Sequence, residues 1–163
     1  MEKMPPIQKI YEAYTALADD RFDLAPDRLR VRSSDGAKEY TVVRDGDTYR
    51  ANDNATYWQG YAGYPVIVAL LLDGALPYDA DVASWFAGVP RKRLNDAAHG
   101  DYNAALLEAF KLKGLTDTQI LQAEEQANVD YETLRELPLR VGRLKVPVTF
   151  FDGDSSDDEG RTS

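Results

Sequence analysis

The sequence predicts an α+β fold: a small three- to four-stranded antiparallel sheet with several helices packed on one face. Three observations support this prediction. Residues 28–51 alternate apolar and polar side chains between turn signals, which is typical of a three-stranded meander. Other stretches have apolar residues at helical spacing. Residues 143–150 alternate again and predict a C-terminal edge strand of the same sheet, since Pro147 cannot donate a ladder hydrogen bond.

The meander follows from its side-chain period and its turns. In the first strand the apolar Leu29 and Val31 alternate with arginines, so the two sets must lie on opposite faces. Ser34-Asp35-Gly36 is a turn signal, and Asp45-Gly46 suits a tight hairpin because both residues tolerate a positive φ.

The first helices are predicted from apolar spacing and composition. Residues 5–20 carry apolar side chains at helical spacing. Asn54 is expected to cap the next helical stretch, which Pro65 kinks or restarts. The segment Val66–Leu72 is apolar on every side, so we expect it to be the buried central helix.

Capping residues place the remaining helices. Residues 79–113 predict short helices, two of which begin at Asp79 and Asp101 as N-caps. Thr116 begins the last helical stretch, and Gln119 completes a capping box with it.

Residues 119–137 fit two structures, one long helix or a helix-turn-helix with Asn128 in the turn. The recognition helix of the second structure would run from Tyr131 to Glu136 and would be net acidic. An acidic helix is repelled by phosphates, so this segment disfavours DNA binding.

Composition bounds the domain organisation and the chemistry. The 163 residues predict one globular domain over residues 1–151, followed by a disordered acidic tail over residues 152–163. The absence of cysteine excludes disulfides and thiolate catalysis, and a single histidine, His99, excludes a site built from several histidines. We expect no metal and no cofactor.

Charge and hydropathy bear on location and partners. The longest apolar run, Pro65–Leu72, has eight residues, whereas a membrane span needs about 20. The N-terminus lacks the basic and apolar pattern of a signal peptide, so we expect a cytoplasmic protein with no membrane partner. The net charge of −9 disfavours nucleic acid.

The first candidate site is a basic face of the sheet. Residues 140–151 contain three basic and no acidic residues, and residues 27–50 contain six basic residues against five acidic ones. Rows of guanidinium groups can bind phosphate or carboxylate in a bidentate manner. The alternative is that this face is exposed to solvent and that its arginines form ion pairs with nearby acidic residues. The predicted anion-binding residues are Arg28, Arg30, Arg32, Arg143 and Lys145.

The second candidate site is an aromatic interface. Tyr57, Trp58, Tyr61 and Tyr64 fall near one helix face, and two glycines between them permit close backbone approach. The alternative is that these rings pack in the core.

The leading functional hypothesis is a non-enzymatic interaction or binding module whose partner is itself or another protein. The second hypothesis is a binder of an anionic ligand or nucleic acid through the arginine face. A third is an enzyme with carboxylates scattered in sequence. His99 lies between Asp96 and Asp101, an arrangement that could orient a base, but no nucleophile lies nearby in sequence. We assign no catalytic residue.

Overall fold

The computed structural model describes residues 1–99 and 101–151. Within these residues the chain forms six α-helices and six β-strands. The helices are α1 Gln8–Ala18, α2 Tyr64–Leu72, α3 Ala80–Ser84, α4 Arg91–Ala97, α5 Tyr102–Lys113 and α6 Asp117–Glu136. The strands are β1 Phe22–Leu24, β2 Leu29–Arg32, β3 Lys38–Asp45, β4 Thr48–Ala51, β5 Arg140–Arg143 and β6 Thr149–Phe150. A π-helical turn, Ala55–Gln59, precedes α2.

The predicted caps are confirmed at three helix starts. Asp79 accepts hydrogen bonds from the backbone N–H groups of the first turn of α3, and Asp101 does so for α5. Thr116 and Gln119 form the reciprocal capping box of α6. Gly114 ends α5 in the left-handed conformation that this position favours.

The α+β class is confirmed, but the sheet is mixed and has more strands than predicted. Its order is β1-β2-β3-β4-β5, with β6 also paired to β3. The meander β2-β3-β4 is antiparallel as expected. β5, however, runs parallel to β4, and the short strand β1 adds a hairpin before β2.

The prediction of one strand over residues 143–150 is wrong, because the segment divides between two neighbours. Its first residue ends β5 beside β4, and its last two residues form β6 beside β3. β4 stops at Ala51, so the chain steps across its end to reach the free edge of β3. The Asn52 side chain holds this crossing by donating to the carbonyls of Val146 and Pro147 and accepting from the Thr41 N–H.

The prediction that Val66–Leu72 is the buried central helix is confirmed for α2. Residues 65–71 are all buried, and Val66, Ile67 and Leu70 have no solvent exposure. α2 contacts β2, β3 and β4 on one side and α1 on another. α6 and α3 in turn pack on α1, so the helices form layers over the apolar face of the sheet.

The alternative left open for residues 119–137 is settled by α6, which is one continuous helix of 20 residues. The helix-turn-helix interpretation is therefore wrong, because Asn128 lies inside the helix. The predicted acidic tail lies outside the described residues. None of the helices in residues 1–99 and 101–151 combines the length and apolarity needed to cross a bilayer.

A buried carboxyl group joins α6 to α1. Asp130 has no solvent exposure, and its Oδ2 accepts a hydrogen bond from the Tyr14 hydroxyl. Its Oδ1 has no hydrogen-bond partner among the described residues. Burial raises the pKa of Asp130 to about 6 from an ordinary value of 3.8, since the ionised form is poorly solvated there.

We expect Asp130→Asn to stabilise the protein at pH 7 by roughly 1–3 kcal/mol. A raised pKa means that the folded state binds more protons than the unfolded state between pH 3.8 and about 6. Wild-type stability should therefore fall as pH rises through this window, and the variant should lose that part of the dependence. Urea denaturation at several pH values measures both. Asp23→Asn, at an exposed strand position, is the control, and parallel profiles for wild type and Asp130→Asn would contradict the prediction.

Candidate functional site

The structure separates the five residues of the predicted anion-binding face. Arg30 and Arg32 lie on the outer face of the sheet, 3.9 and 3.7 Å from the Glu39 carboxylate that lies between them. Arg28 pairs with Asp27 at 2.9 Å. These three arginines thus have acidic neighbours on the same exposed surface.

Arg143 leaves the sheet on the other side. The β5 register places it beside the buried Ala51, so its side chain lies on the core side of the sheet. There its guanidinium lies over the rings of Tyr57 and Trp58, 5.1 and 5.5 Å from their centroids. Lys145 is exposed in the crossing between β5 and β6.

The predicted aromatic interface is divided as well. Tyr57 and Trp58 contact each other at 4.8 Å between ring centroids, and Trp58 is 66% exposed. Tyr61 lies under the ammonium group of Lys3. Tyr64, by contrast, turns away from this patch into a polar pocket.

That pocket has a volume of about 530 Å³ and lies where α1, the β2–β3 turn, β3, the start of α2 and α4 meet. It is within the size range of small-molecule sites. Its walls are mostly polar. The lining residues are Lys9, Glu12, Arg21, Ser33, Ser34, Lys38, Tyr40, Asn54, Tyr64, Arg91, Asn95, Asp96 and His99.

The pocket is cationic within an acidic protein. Its lining includes four lysine and arginine side chains against two carboxylates. Three of these cations have partners: Lys9 pairs with Glu12, Arg21 with Asp19 and the Arg32 carbonyl, and Lys38 lies over the ring of Phe150. The fourth, Arg91, differs from them.

Arg91 is a buried guanidinium without a hydrogen-bond partner. It is 4% exposed, and none of its three side-chain nitrogens has a partner among the described residues. Burial lowers the pKa of Arg91, and the nearby Glu12 carboxylate opposes that shift. Burying a charged donor without a partner costs free energy. A hydrogen-bond acceptor that reached the Arg91 guanidinium would therefore lower the free energy of this wall of the pocket.

Glu12 lies near Arg91 but accepts no hydrogen bond from it. Each of its two oxygens accepts from another residue. One accepts from the Lys9 ammonium and the other from the Asn95 amide, each at 3.3 Å. Glu12 therefore orients Lys9 and Asn95 along the pocket wall and supplies a compensating charge near Arg91.

Two tyrosines form another wall. The rings of Tyr40 and Tyr64 meet edge to face with centroids 6.2 Å apart. Burial raises the pKa of Tyr40 to about 12 and also raises the pKa of Tyr64, so both phenols are neutral donors at physiological pH. The Tyr64 hydroxyl already donates to the Arg32 carbonyl at 3.4 Å, so this wall offers a ligand the Tyr40 hydroxyl and the edges of the two rings.

A second buried carboxyl group anchors the chain behind this wall. Asp53, rather than the predicted Asn54, caps the π-helical turn by accepting from the Thr56 N–H at 3.1 Å. Asp53 is 4% exposed, and burial raises its pKa. Gly63 passes directly over this carboxyl group, since a Cβ at that position would lie 1.9 Å from Asp53 Oδ2. This contact positions two lining residues, Asn54 and Tyr64, which follow Asp53 and Gly63 in the chain.

His99 and Asp96 lie at the pocket rim, so the structure brings two of the three residues of the histidine motif to one site. His99 follows α4 with a φ of 53°, a left-handed conformation that histidine adopts more readily than most residues. Asp101 instead caps α5. Within residues 1–99 and 101–151 no three His, Asp or Glu side chains are grouped for metal binding.

Sequence reasoning missed Arg91 and Asn95. In Pro90-Arg91-Lys92-Arg93 the arginine reads as one of three exposed bases at a helix start. Its only local signal is its spacing, since Arg91, Leu94, Asn95 and Ala98 share one face of a helix. This face lies against Glu12 of α1, which is remote in sequence.

Fold and site together define an α+β protein with a mixed sheet and a pocket whose lining has more cations than carboxylates. Residues 2–140 match a family described as "Uncharacterised conserved protein UCP014422", and the chain belongs to this family. The matched range contains every residue that lines the pocket. No curated protein and no solved structure matches the chain.

We expect Gly63→Ala to destabilise the protein by about 1–3 kcal/mol, because the added Cβ displaces the buried Asp53 carboxyl group. Gly142→Ala is the matched control, since its Cβ would crowd only the end of the flexible Arg50 side chain and would make an ordinary van der Waals contact with Thr48 Cγ2 at 3.4 Å. Denaturant midpoints of both variants measure the difference. Equal midpoints would show that the contact between Gly63 and Asp53 is not a tight one.

Proposed function

We propose that this protein binds a small anionic molecule in the pocket between α1, β3 and α4, with Arg91 as the principal charge partner. The observation that carries the proposal is the Arg91 guanidinium, buried in the pocket wall with three unpaired nitrogens. The excess of cations over carboxylates around it supports the same charge preference. This proposal keeps the anion-binding hypothesis and moves its site from the sheet surface to the pocket.

The cost of burying Arg91 supports a binding role. Replacing a buried charge by an apolar side chain of similar shape often leaves a protein equally stable or makes it more stable. A buried unpaired charge is therefore better explained by a binding role than by a contribution to stability. An anion in the pocket would accept from the guanidinium and offset this cost.

We expect Arg91→Met to raise the stability of the free protein by about 1–3 kcal/mol and to abolish anion binding. Calorimetric titration of the full chain with phosphate, sulfate, malate and succinate measures binding, and urea denaturation measures stability. Arg28→Met, at an exposed arginine paired with Asp27, is the control and should change neither. A less stable Arg91→Met variant that still binds the same anions would instead identify Arg91 as a structural counter-ion of Glu12.

The second candidate function is self-association through the patch formed by Tyr57, Trp58 and Arg143. Trp58 is 66% exposed, and the Arg143 guanidinium is held in place by the Tyr57 carbonyl at 2.7 Å. Tryptophan, tyrosine and arginine are the residues enriched at the energetic centres of interfaces. This candidate retains the interaction hypothesis for part of the predicted aromatic set.

We expect Trp58→Ser to weaken self-association by about tenfold or more while leaving folding intact. Sedimentation velocity over a concentration series measures association. Leu107→Ser, which changes an exposed apolar residue on α5, is the matched control. A wild-type chain that stays monomeric at every concentration would rule out this function.

A further inference from the structure

The pocket contains an unpaired acceptor as well as the unpaired donors of Arg91. The Asn95 Nδ2 donates to Glu12 Oε2 at 3.3 Å. A carboxylate accepts hydrogen bonds and does not donate them when ionised, so this bond fixes which end of the Asn95 amide faces Glu12. The other end, Oδ1, is buried and has no hydrogen-bond partner among the described residues.

The unpaired donors of Arg91 and the unpaired acceptor of Asn95 are on neighbouring side chains. Arg91 and Asn95 are separated by one turn of α4, so their side chains leave the same face of the helix about 5–6 Å apart. Both residues line the pocket. One wall therefore contains buried guanidinium N–H donors and, one helical turn away, a buried amide oxygen that can only accept.

We infer that the pocket selects anions that carry a hydrogen-bond donor beside their charge, a deduction that rests on the proposed function. The charged oxygen of such an anion accepts from Arg91, and its O–H donates to Asn95 Oδ1. A phosphate group with a P–OH and a hydroxy acid both have this chemistry. Sulfate and a simple dicarboxylate at neutral pH have acceptors only, so either would leave Asn95 Oδ1 buried and unpaired.

The difference in affinity between a donor-bearing anion and an analogue without the donor follows from the free energy cost of a buried polar group that has no partner. A site built to pair with a ligand O–H rejects the analogue that lacks it more strongly than an apolar pocket rejects a missing methylene. We expect the affinity for a donor-bearing anion to exceed that of its matched analogue by about tenfold or more.

The experiment compares two matched pairs on the full chain by calorimetric titration at pH 7. Phosphate against sulfate tests a P–OH donor on a tetrahedral anion, and malate against succinate tests an alcohol donor on a dicarboxylate. A preference of about tenfold or more within either pair is the expected result. The pair that shows it identifies the donor as a phosphate or as a hydroxy acid.

The variant Asn95→Leu tests whether Asn95 Oδ1 causes the preference for donor-bearing anions. The variant keeps a side chain of similar size but removes the amide oxygen, so the preference within the pair should fall to about onefold while binding of sulfate or succinate persists. Asn128→Leu, at an exposed position of α6 outside the pocket lining, should keep the wild-type preference.

The possible failures separate the two proposals. Binding of all four anions that depends on Arg91 but shows no preference within either pair would overturn the selectivity and leave the proposed function standing. A preference that persists in the Asn95→Leu variant would also overturn the inferred selectivity. Wild-type protein that binds none of the four anions would overturn the proposed function itself. The wild-type comparison needs no variant, so it holds even if Asn95→Leu folds poorly.

Discussion

The fold depends on a helix that has no polar side. Residues 65–71 of α2 are apolar and buried, so every face of the helix must be covered. The apolar side of the meander covers one face and α1 covers another, and α6 and α3 then pack on α1. A substantial core thus forms around a helix of only nine residues, and the other elements are arranged by the need to enclose it.

Enclosure of α2 leaves charged groups at the margins of the core, and four of them, Arg21, Asp53, Arg91 and Asp130, have buried atoms without a hydrogen-bond partner in the described part of the chain. The Arg21 Nε lies 3.5 Å from the Asp19 carboxylate, which compensates its charge. Asp130 lies between α6 and α1, whereas Asp53 and Arg91 lie behind and within the walls of the pocket. The two carboxyl groups can relieve the cost of burial by binding a proton, as their raised pKa values indicate. An arginine would have to lose a proton to become neutral, and it stays protonated at physiological pH. Arg91 is therefore the group that most requires an external partner.

Local charge, rather than net charge, determines what this protein can bind. The chain carries a net charge of −9, yet the lining of the pocket has twice as many lysine and arginine residues as carboxylates. The sheet arginines illustrate the opposite case, because Glu39 and Asp27 neutralise them where they lie. A row of like charges in sequence therefore predicts a binding surface less well than a single buried charge in the folded protein.

The sequence by itself determined the features that depend on neighbouring residues: the meander and its turns, the caps at Asp79, Asp101 and Thr116, and the buried character of α2. Only the tertiary structure decided the parallel pairing of β5, the crossing held by Asn52 and the pocket around Arg91 and Asn95. Alternation shows that residues 143–150 are extended, but the partner of an extended segment depends on which sheet edge is free, and here β4 ends early and exposes β3. Likewise, a basic residue at a helix start is normally solvated, whereas Arg91 is buried beside Glu12 of α1, which lies more than 70 residues earlier in the chain.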